Sequence, residues 1–119
     1  MLKVNSYRGV SISQPEILKE VIRQLNKDIA MCGFEGEFSE NSTLENLLEN
    51  FTKWVVEKLE HDDSQLLNFL YRVDVKQEKI YANDGNPQDN FVFRVLEREL
   101  QKIVLRREFS APNNNLELE

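Results

Sequence analysis

The sequence predicts an all-α domain built as a small four-helix bundle, with a short extended arm at its N-terminal end. Apolar residues recur at three- and four-residue steps over three long segments, which is the spacing of amphipathic helices. Helix-start signals precede each of these segments. The 119 residues include only 3 prolines and 4 glycines, so few positions interrupt regular structure.

The first part of the chain predicts an arm followed by a helix. Residues 1–12 lack a helical period, and we expect an extended arm or a short strand packed on the body. Ser13 and the glutamate three residues later have capping-box spacing, and Pro15 fits the first turn of a helix. Gly33 is a typical helix stop, so the first helix is predicted over 15–32. Its apolar face consists of Ile17, Leu18, Val21, Ile22, Leu25 and Ile29.

The next part predicts a loop and a second helix. We expect Phe34 and Phe38 to anchor a loop over 34–41 that closes one end of the core, since aromatic side chains gain most from burial. Ser42 begins a second capping-box spacing, and a helix is predicted over 43–60. The apolar stripe of this helix consists of Leu44, Leu47, Leu48, Phe51, Val55 and Leu59.

The segment 62–75 is dense in apolar residues on every side, and we expect it to lie at the centre of the fold. A helix over 64–74 is favoured, because Ser64 and the acidic residues before it suit a helix N-terminus. A strand is the alternative, because apolar and polar residues partly alternate from Phe69 to Val75 and a short apolar run does not settle the period.

The last part predicts a turn, a long helix and a tail. The run Asn83-Asp84-Gly85-Asn86 is a strong turn signal, and Asn86 with Pro87 is typical of a cap and first helical turn. A helix is predicted over 87–107, with the mostly apolar stripe Phe91, Val92, Val95, Leu96, Glu99, Ile103 and Val104. We expect 13–109 to form one helical domain and 110–119 a flexible tail, whose final Leu-Glu is either native or added to the natural sequence.

Composition limits the classes of function. A net charge of −6 and a pI near 4.9 oppose general attraction to phosphate backbones, so nucleic acid is disfavoured as a partner. The single cysteine, Cys32, excludes an internal disulfide and suits a reducing compartment. The sequence contains neither a signal-peptide pattern nor an apolar run of membrane-spanning length. We expect a cytoplasmic protein without a membrane partner.

Catalytic motifs are absent from the sequence. It contains no glycine-rich phosphate loop, nucleophile elbow or histidine-based triad, and no family motif was recognised. The sole histidine, His61, lies among acidic residues, but a di-iron bundle needs Glu-x-x-His motifs from several helices. We therefore expect no metal and no cofactor, and we disfavour an enzyme.

Two charged patterns are candidate binding sites. Arg72 and Asp74 flank an apolar residue next to Tyr71, and charged groups near a core need partners. Structural pairing is favoured, and a ligand-binding or catalytic pocket lined by Tyr71, Arg72 and Asp74 is the alternative.

The second pattern is a basic row on the last predicted helix, with a positive charge every four residues. The row consists of Arg94, Arg98, Lys102 and Arg106. Because like charges repel, the row needs something negative: an acidic partner, phosphates or another part of this chain. The segment 33–63 is one such part, since its nine acidic residues and two lysines give a local charge of −7. Internal matching or solvated faces are favoured over nucleic-acid recognition.

The leading functional hypothesis is a non-catalytic helical module for protein interaction or structure. Phe93, Leu100 and Leu105 widen the apolar surface of the last helix beyond what one neighbour would cover. We therefore expect a homo-oligomer, or a complex with another protein, formed through this surplus surface.

Overall fold

The computed structural model describes residues 6–61, 64–81 and 85–109, apart from the side chain of Ser64. The helices are α1 (Pro15–Met31), α2 (Leu44–His61), α3 (Ser64–Val73), α4 (Gln77–Ile80) and α5 (Pro87–Phe109). Two short strands, β1 (Ser6–Tyr7) and β2 (Val10–Ser11), form an antiparallel hairpin with Tyr7 opposite Val10. The predicted all-α class is confirmed, and the four predicted helices, now α1, α2, α3 and α5, lie close to their predicted bounds.

Residues 6–11, which precede the first helix, form a β-hairpin where the sequence predicts an extended arm or a short strand. The hairpin between β1 and β2 turns at Arg8 and Gly9, both of which have positive φ. The helical interpretation of α3 is confirmed over the strand alternative. The expected tail over 110–119, and the residues Asn83 and Asp84 of the predicted turn, lie outside the described residues.

The helices α2 and α5 have side-chain caps, but the cap of α2 is Thr43 and not Ser42, where the sequence predicts the start of the capping box. Thr43 Oγ1 accepts a hydrogen bond of 3.1 Å from the amide three residues later, and Asn86 Oδ1 accepts one of 2.8 Å from the corresponding amide of α5. The capping box predicted at Ser13 is wrong, because the residue preceding α1 is Gln14, whose side chain makes no capping hydrogen bond. Ser13 Oγ instead lies 2.8 Å from Ser11 Oγ, which joins the helix start to the hairpin.

The central element is α5, and the expectation that the segment 62–75 holds this place is wrong. α5 has 23 residues and packs against α1, α2, α3, α4 and β1. Its apolar side chains point to several neighbours, because a helix surrounded by others needs apolar residues on more than one face. α3 is only 10 residues long and is amphipathic, with Leu67 and Tyr71 outside the core.

An aromatic cluster joins α2, α3 and α5. The Trp54 and Phe69 rings meet edge to face at 5.8 Å, and Phe69 stacks on Phe91 at 6.0 Å. Phe34 packs on Trp54 at 5.1 Å, and Phe38 packs near α2 as well. The predicted anchoring of the loop by these two phenylalanines is therefore confirmed.

Gly36 lies in this loop, and replacing it by alanine is expected to lower the free energy of unfolding by about 2 kcal/mol. Its φ is +125°, and an added Cβ would meet Trp54 Nε1 at 3.2 Å. Urea denaturation followed by the fluorescence of the single tryptophan measures the loss. Gly9→Ala is the control, because Gly9 has φ +79° and nothing within 4 Å of an added Cβ, so it adds backbone strain alone. If the two variants lost the same free energy of unfolding, the close approach of the added Cβ to Trp54 would contribute nothing.

Candidate functional site

The basic row of α5 contacts the protein's own side chains along its whole length. Arg94 Nη1 lies 3.3 Å from Glu97 Oε1, and Arg98 Nη2 lies 3.2 Å from Asp74 Oδ2. Further along the row, Lys102 Nζ lies 3.1 Å from Glu99 Oε1, and Arg106 Nη2 lies 3.0 Å from Gln24 Oε1. These partners belong to α1, α5 itself and the residue after α3, not to the acidic segment 33–63. The row therefore faces α1 and the end of α3 rather than α2.

Under the middle of this row lies an internal polar cluster, which consists of Gln24, Asp28, Arg72, Glu99 and Lys102. Asp28 and Glu99 are the buried ionisable side chains of the described structure, with 1% and 0% of their surfaces exposed. Asp28 of α1 receives hydrogen bonds from Gln24 at 3.1 Å, Arg72 at 3.0 Å and Lys102 at 3.4 Å. One carboxylate thus connects α1 to α3 and to α5.

The two buried carboxyl groups hold different protonation states. Burial, followed by the hydrogen bond and charge of Asp28, raises the pKa of Glu99 to about 9. Burial alone would also raise the pKa of Asp28, but the hydrogen bond from Glu99 and the contacts of Lys102, Arg72 and Gln24 hold it below its ordinary value. Lys102 Nζ lies 3.1 Å from Glu99 Oε1, but among the described residues neither oxygen of Glu99 makes a well-directed hydrogen bond. With a pKa of about 9, Glu99 is protonated at neutral pH and can donate to Asp28.

A neutral acid beside a carboxylate resembles the acid and base pair of an enzyme, but a reacting group must also reach its substrate. Neither Asp28 nor Glu99 lines the hollows on the α1, α3 and α5 surfaces. We therefore assign the internal polar cluster to helix packing. Sequence reasoning missed it, although Glu99 stands within the apolar stripe predicted for α5 and a charged residue on a buried face requires a partner.

The three residues proposed for a ligand pocket point in different directions. Arg72 turns inward to Asp28, with Nε 3.0 Å from Oδ1. Asp74 pairs with Arg98, and Tyr71 is 90% exposed. Tyr71 and Asp74 line one surface hollow, and Arg72 is not among its lining residues.

Two adjoining hollows form what we call the α3–α4 surface. The apolar hollow, of about 430 Å³, is lined by Leu67, Leu70, Tyr71 and Val75 together with the polar residues Asp74, Lys76, Gln77 and Glu78. The basic hollow, of about 270 Å³, is lined by Lys76, Lys79, Arg94 and Arg98 together with Asp74 and Glu97. Asp74, Val75 and Lys76 line both hollows, so the two are continuous along the connection between α3 and α4.

The turn after α3 shapes this surface. Asp74 has φ 76°, a left-handed conformation that aspartate tolerates better than most residues, and it ends the helix. The amides of Asp74 and Val75 both donate to Leu70 O, at 2.8 and 2.9 Å. On the other side, buried Ile80 and the hydrogen bond from Asn90 Nδ2 to Ile80 O, 3.0 Å long, hold α4 on α5.

The described residues hold neither a metal-binding cluster nor a membrane-spanning helix. Within 6–61, 64–81 and 85–109, no group of three or more His, Cys, Asp or Glu side chains is arranged to hold a metal ion. His61 Nδ1 lies 2.7 Å from Glu57 O, and its acidic neighbours Asp62 and Asp63 lie outside the described residues. Within the same ranges, no helix has both the length and the apolar character needed to span a bilayer.

Comparisons with protein-family models, with curated proteins and with solved structures found no match to this chain. Function is therefore argued from the internal polar cluster and the α3–α4 surface. A second molecule can contact Tyr71, with 90% of its surface exposed, but not the enclosed carboxyl groups of Asp28 and Glu99. The α3–α4 surface is therefore the candidate functional site.

Proposed function

We propose that this chain is a non-catalytic protein-interaction module that binds its partner through the α3–α4 surface. The observation that carries the proposal is the exposure of Tyr71, 90%, and Leu67, 44%, one turn apart on α3 and beside a concave apolar hollow. Tyrosine combines a large apolar ring with a hydroxyl group, and buried aromatic residues dominate the energetics of many interfaces. An exposed pair of this kind gains most when another protein covers it.

The position of the perturbed carboxyl groups also supports a non-catalytic role. In enzymes, groups with strongly shifted pKa values lie in clefts that substrates enter. In this protein, burial raises the pKa of Glu99 to about 9, but Glu99 does not line the hollows on the surfaces of α3 and α5. The side chains around Glu99 serve to pack the helices together.

The proposal includes self-association, and the surface we propose for it lies on α3 rather than on α5. Leu100 of α5 is buried, and Phe93 and Leu105 are partly buried by the chain's own elements. The surplus apolar area expected from these three side chains is therefore largely covered, whereas Leu67 and Tyr71 stay open. A second copy is one candidate occupant of the α3–α4 surface.

Site-specific photo-crosslinking in cells that express the full chain tests this function. A benzophenone amino acid placed at Leu67 is expected to give a crosslinked product of discrete mass when irradiated. The matched control carries it at Lys53 of α2, whose side chain is 73% exposed and lies outside the α3–α4 surface. Absence of a product at position 67, or the same products from both positions, would reject the proposed function. A product of twice the chain mass identifies a second copy.

We also propose a cytoplasmic location, and the free thiol of Cys32 supports a reducing compartment. Fluorescence microscopy of the full chain carrying a fluorescent fusion is expected to show diffuse cytoplasmic signal. Concentration of the signal in a secretory or extracellular compartment would contradict this location.

A further inference from the structure

We infer that the α3–α4 surface accepts an acidic amphipathic helix of another protein. The inference rests on the proposed function and specifies the chemistry of the partner. The basic hollow carries four cationic side chains and two carboxylates, although the whole chain has a net charge of −6. A local positive surface on an acidic protein selects a negative partner and disfavours a second copy of the same acidic chain.

The cations of this hollow are only partly compensated. Arg94 pairs with Glu97, and Arg98 pairs with Asp74. Lys76 and Lys79 are exposed, and neither forms an ion pair with another of the described residues. Two lysines beside two partly compensated arginines can therefore attract carboxylates of a partner.

The adjoining apolar hollow adds a second requirement. Leu67 and Tyr71 can pack against apolar side chains of a partner. Because the two hollows share lining residues, this apolar area lies directly beside the lysines. A helix that binds in a groove uses apolar anchors at i, i+3 or i+4, and i+7, and its flanks remain available for charges. A helix with an apolar stripe flanked by Glu or Asp therefore fits both hollows at once.

Two other occupants fit less well. Nucleic acid would use the lysines and leave the apolar hollow uncovered, and the charge of the whole chain opposes it. In a second copy, α2 is the acidic helix, but its apolar residues Leu47, Phe51 and Val55 are buried in its own core. The acidic helix of a second copy thus has no apolar stripe to offer.

Asp74 limits the affinity of the surface in this arrangement. Its side chain is 76% exposed, lies on the wall between the hollows and neutralises part of the Arg98 charge. Asp74→Asn removes this carboxylate, and asparagine tolerates the left-handed φ of 76°. The variant is therefore expected to bind an acidic helix more tightly while keeping the turn after α3.

The test uses a fluorescein-labelled amphipathic peptide of about 18 residues, with leucines at i, i+3 and i+7 spacing and glutamates on both flanks. Fluorescence anisotropy measures its binding to the full chain in low and moderate salt. One comparison peptide has the same composition in scrambled order, and another has lysine in place of each glutamate. Only the first peptide is expected to bind, and salt is expected to weaken it.

Substitutions then assign the binding to the surface. Lys79→Glu and Tyr71→Ala are each expected to weaken binding about tenfold, and Asp74→Asn to tighten it about threefold. The charge-matched control is Lys53→Glu on α2, and the apolar control is Met31→Ala, a residue 64% exposed at the end of α1. Both controls are expected to change the affinity less than twofold. Thermal melting by circular dichroism verifies that each variant folds.

The inference would be overturned if the acidic amphipathic peptide did not bind, if the scrambled peptide bound equally well, or if Lys53→Glu weakened binding as much as Lys79→Glu. A wild-type dimer that Tyr71→Ala abolishes and that excludes the peptide would also overturn it, by identifying a second copy as the occupant. A site-dependent crosslink at position 67 without peptide binding rejects only the chemistry of the partner. Absence of a crosslink at position 67 rejects the proposed function itself, and the inference that rests on it.

Discussion

Asp28→Asn is expected to lower the free energy of unfolding by about 3 kcal/mol. The aspartate is 1% exposed and is the shared acceptor for α3 and α5. Asparagine retains one oxygen acceptor, but it loses the charge that compensates Arg72 and Lys102, and its amide group offers them donors instead of an acceptor. Glu99 also loses the carboxylate to which it donates.

Urea denaturation measured by tryptophan fluorescence checks this expectation, and Asp74→Asn is the matched control. The control makes the same chemical change in an ion pair with Arg98, but at a carboxylate that is 76% exposed. An exposed pair of this kind contributes within about 1 kcal/mol, so the control should unfold near the wild-type midpoint. Similar losses in both variants would show that the internal polar cluster adds nothing beyond a surface ion pair.

Glu99→Gln is expected to stabilise the protein at neutral pH by about 3 kcal/mol. Burial, with the hydrogen bond and charge of Asp28, raises the pKa of Glu99 to about 9 in the folded state. In the unfolded chain a glutamate has a pKa of about 4.3. Between these two values the folded protein binds one more proton than the unfolded chain, so this group makes stability fall as the pH rises. Glutamine is neutral at every pH, and its amide can still donate to Asp28.

Free energies of unfolding of the wild type and Glu99→Gln at pH 5, 6, 7 and 8 separate this effect from other titrations. The difference between the two proteins is expected to be small at pH 5 and to grow by up to about 1.4 kcal/mol for each pH unit. Glu97→Gln, on the same helix and paired with Arg94 at the surface, controls for the loss of one carboxylate and should show no such growth. A constant difference between pH 5 and pH 8 would contradict a protonated Glu99.

The internal polar cluster and the α3–α4 surface meet on α3. Arg72 is held inward by Asp28, and its neighbour Tyr71 stands on the exposed side of the same helix. Because successive residues of a helix point about 100° apart, fixing Arg72 also fixes the side on which Tyr71 stands. The Asp28–Arg72 pair and the buried side chains Phe69 and Val73 together hold α3 in the rotation that leaves Tyr71 exposed.

The sequence by itself determined the three longest helices, α1, α2 and α5, but it did not predict α4. Capping side chains such as Asn86 and apolar residues at three- and four-residue steps act over a few positions, so local signals were enough to place α1, α2 and α5. The turn residues before the first helix gave no comparable signal for the hairpin. Over 64–75 the density of apolar residues is compatible with a helix or a strand. In the structure this segment forms the helix α3, which packs on α1 and α5.

Only the tertiary structure decided which helix is central and which charges are paired. The sequence shows that Glu99 lies on an apolar face of its helix. It does not show that Asp28 approaches Glu99 from α1, or that Lys102 approaches it from the next turn of α5. The partners of the basic row are likewise on α1 and at the end of α3, where sequence reasoning had looked to the acidic segment 33–63. Pairing between distant residues depends on how the helices rotate and cross, and periodicity within each helix does not contain that information.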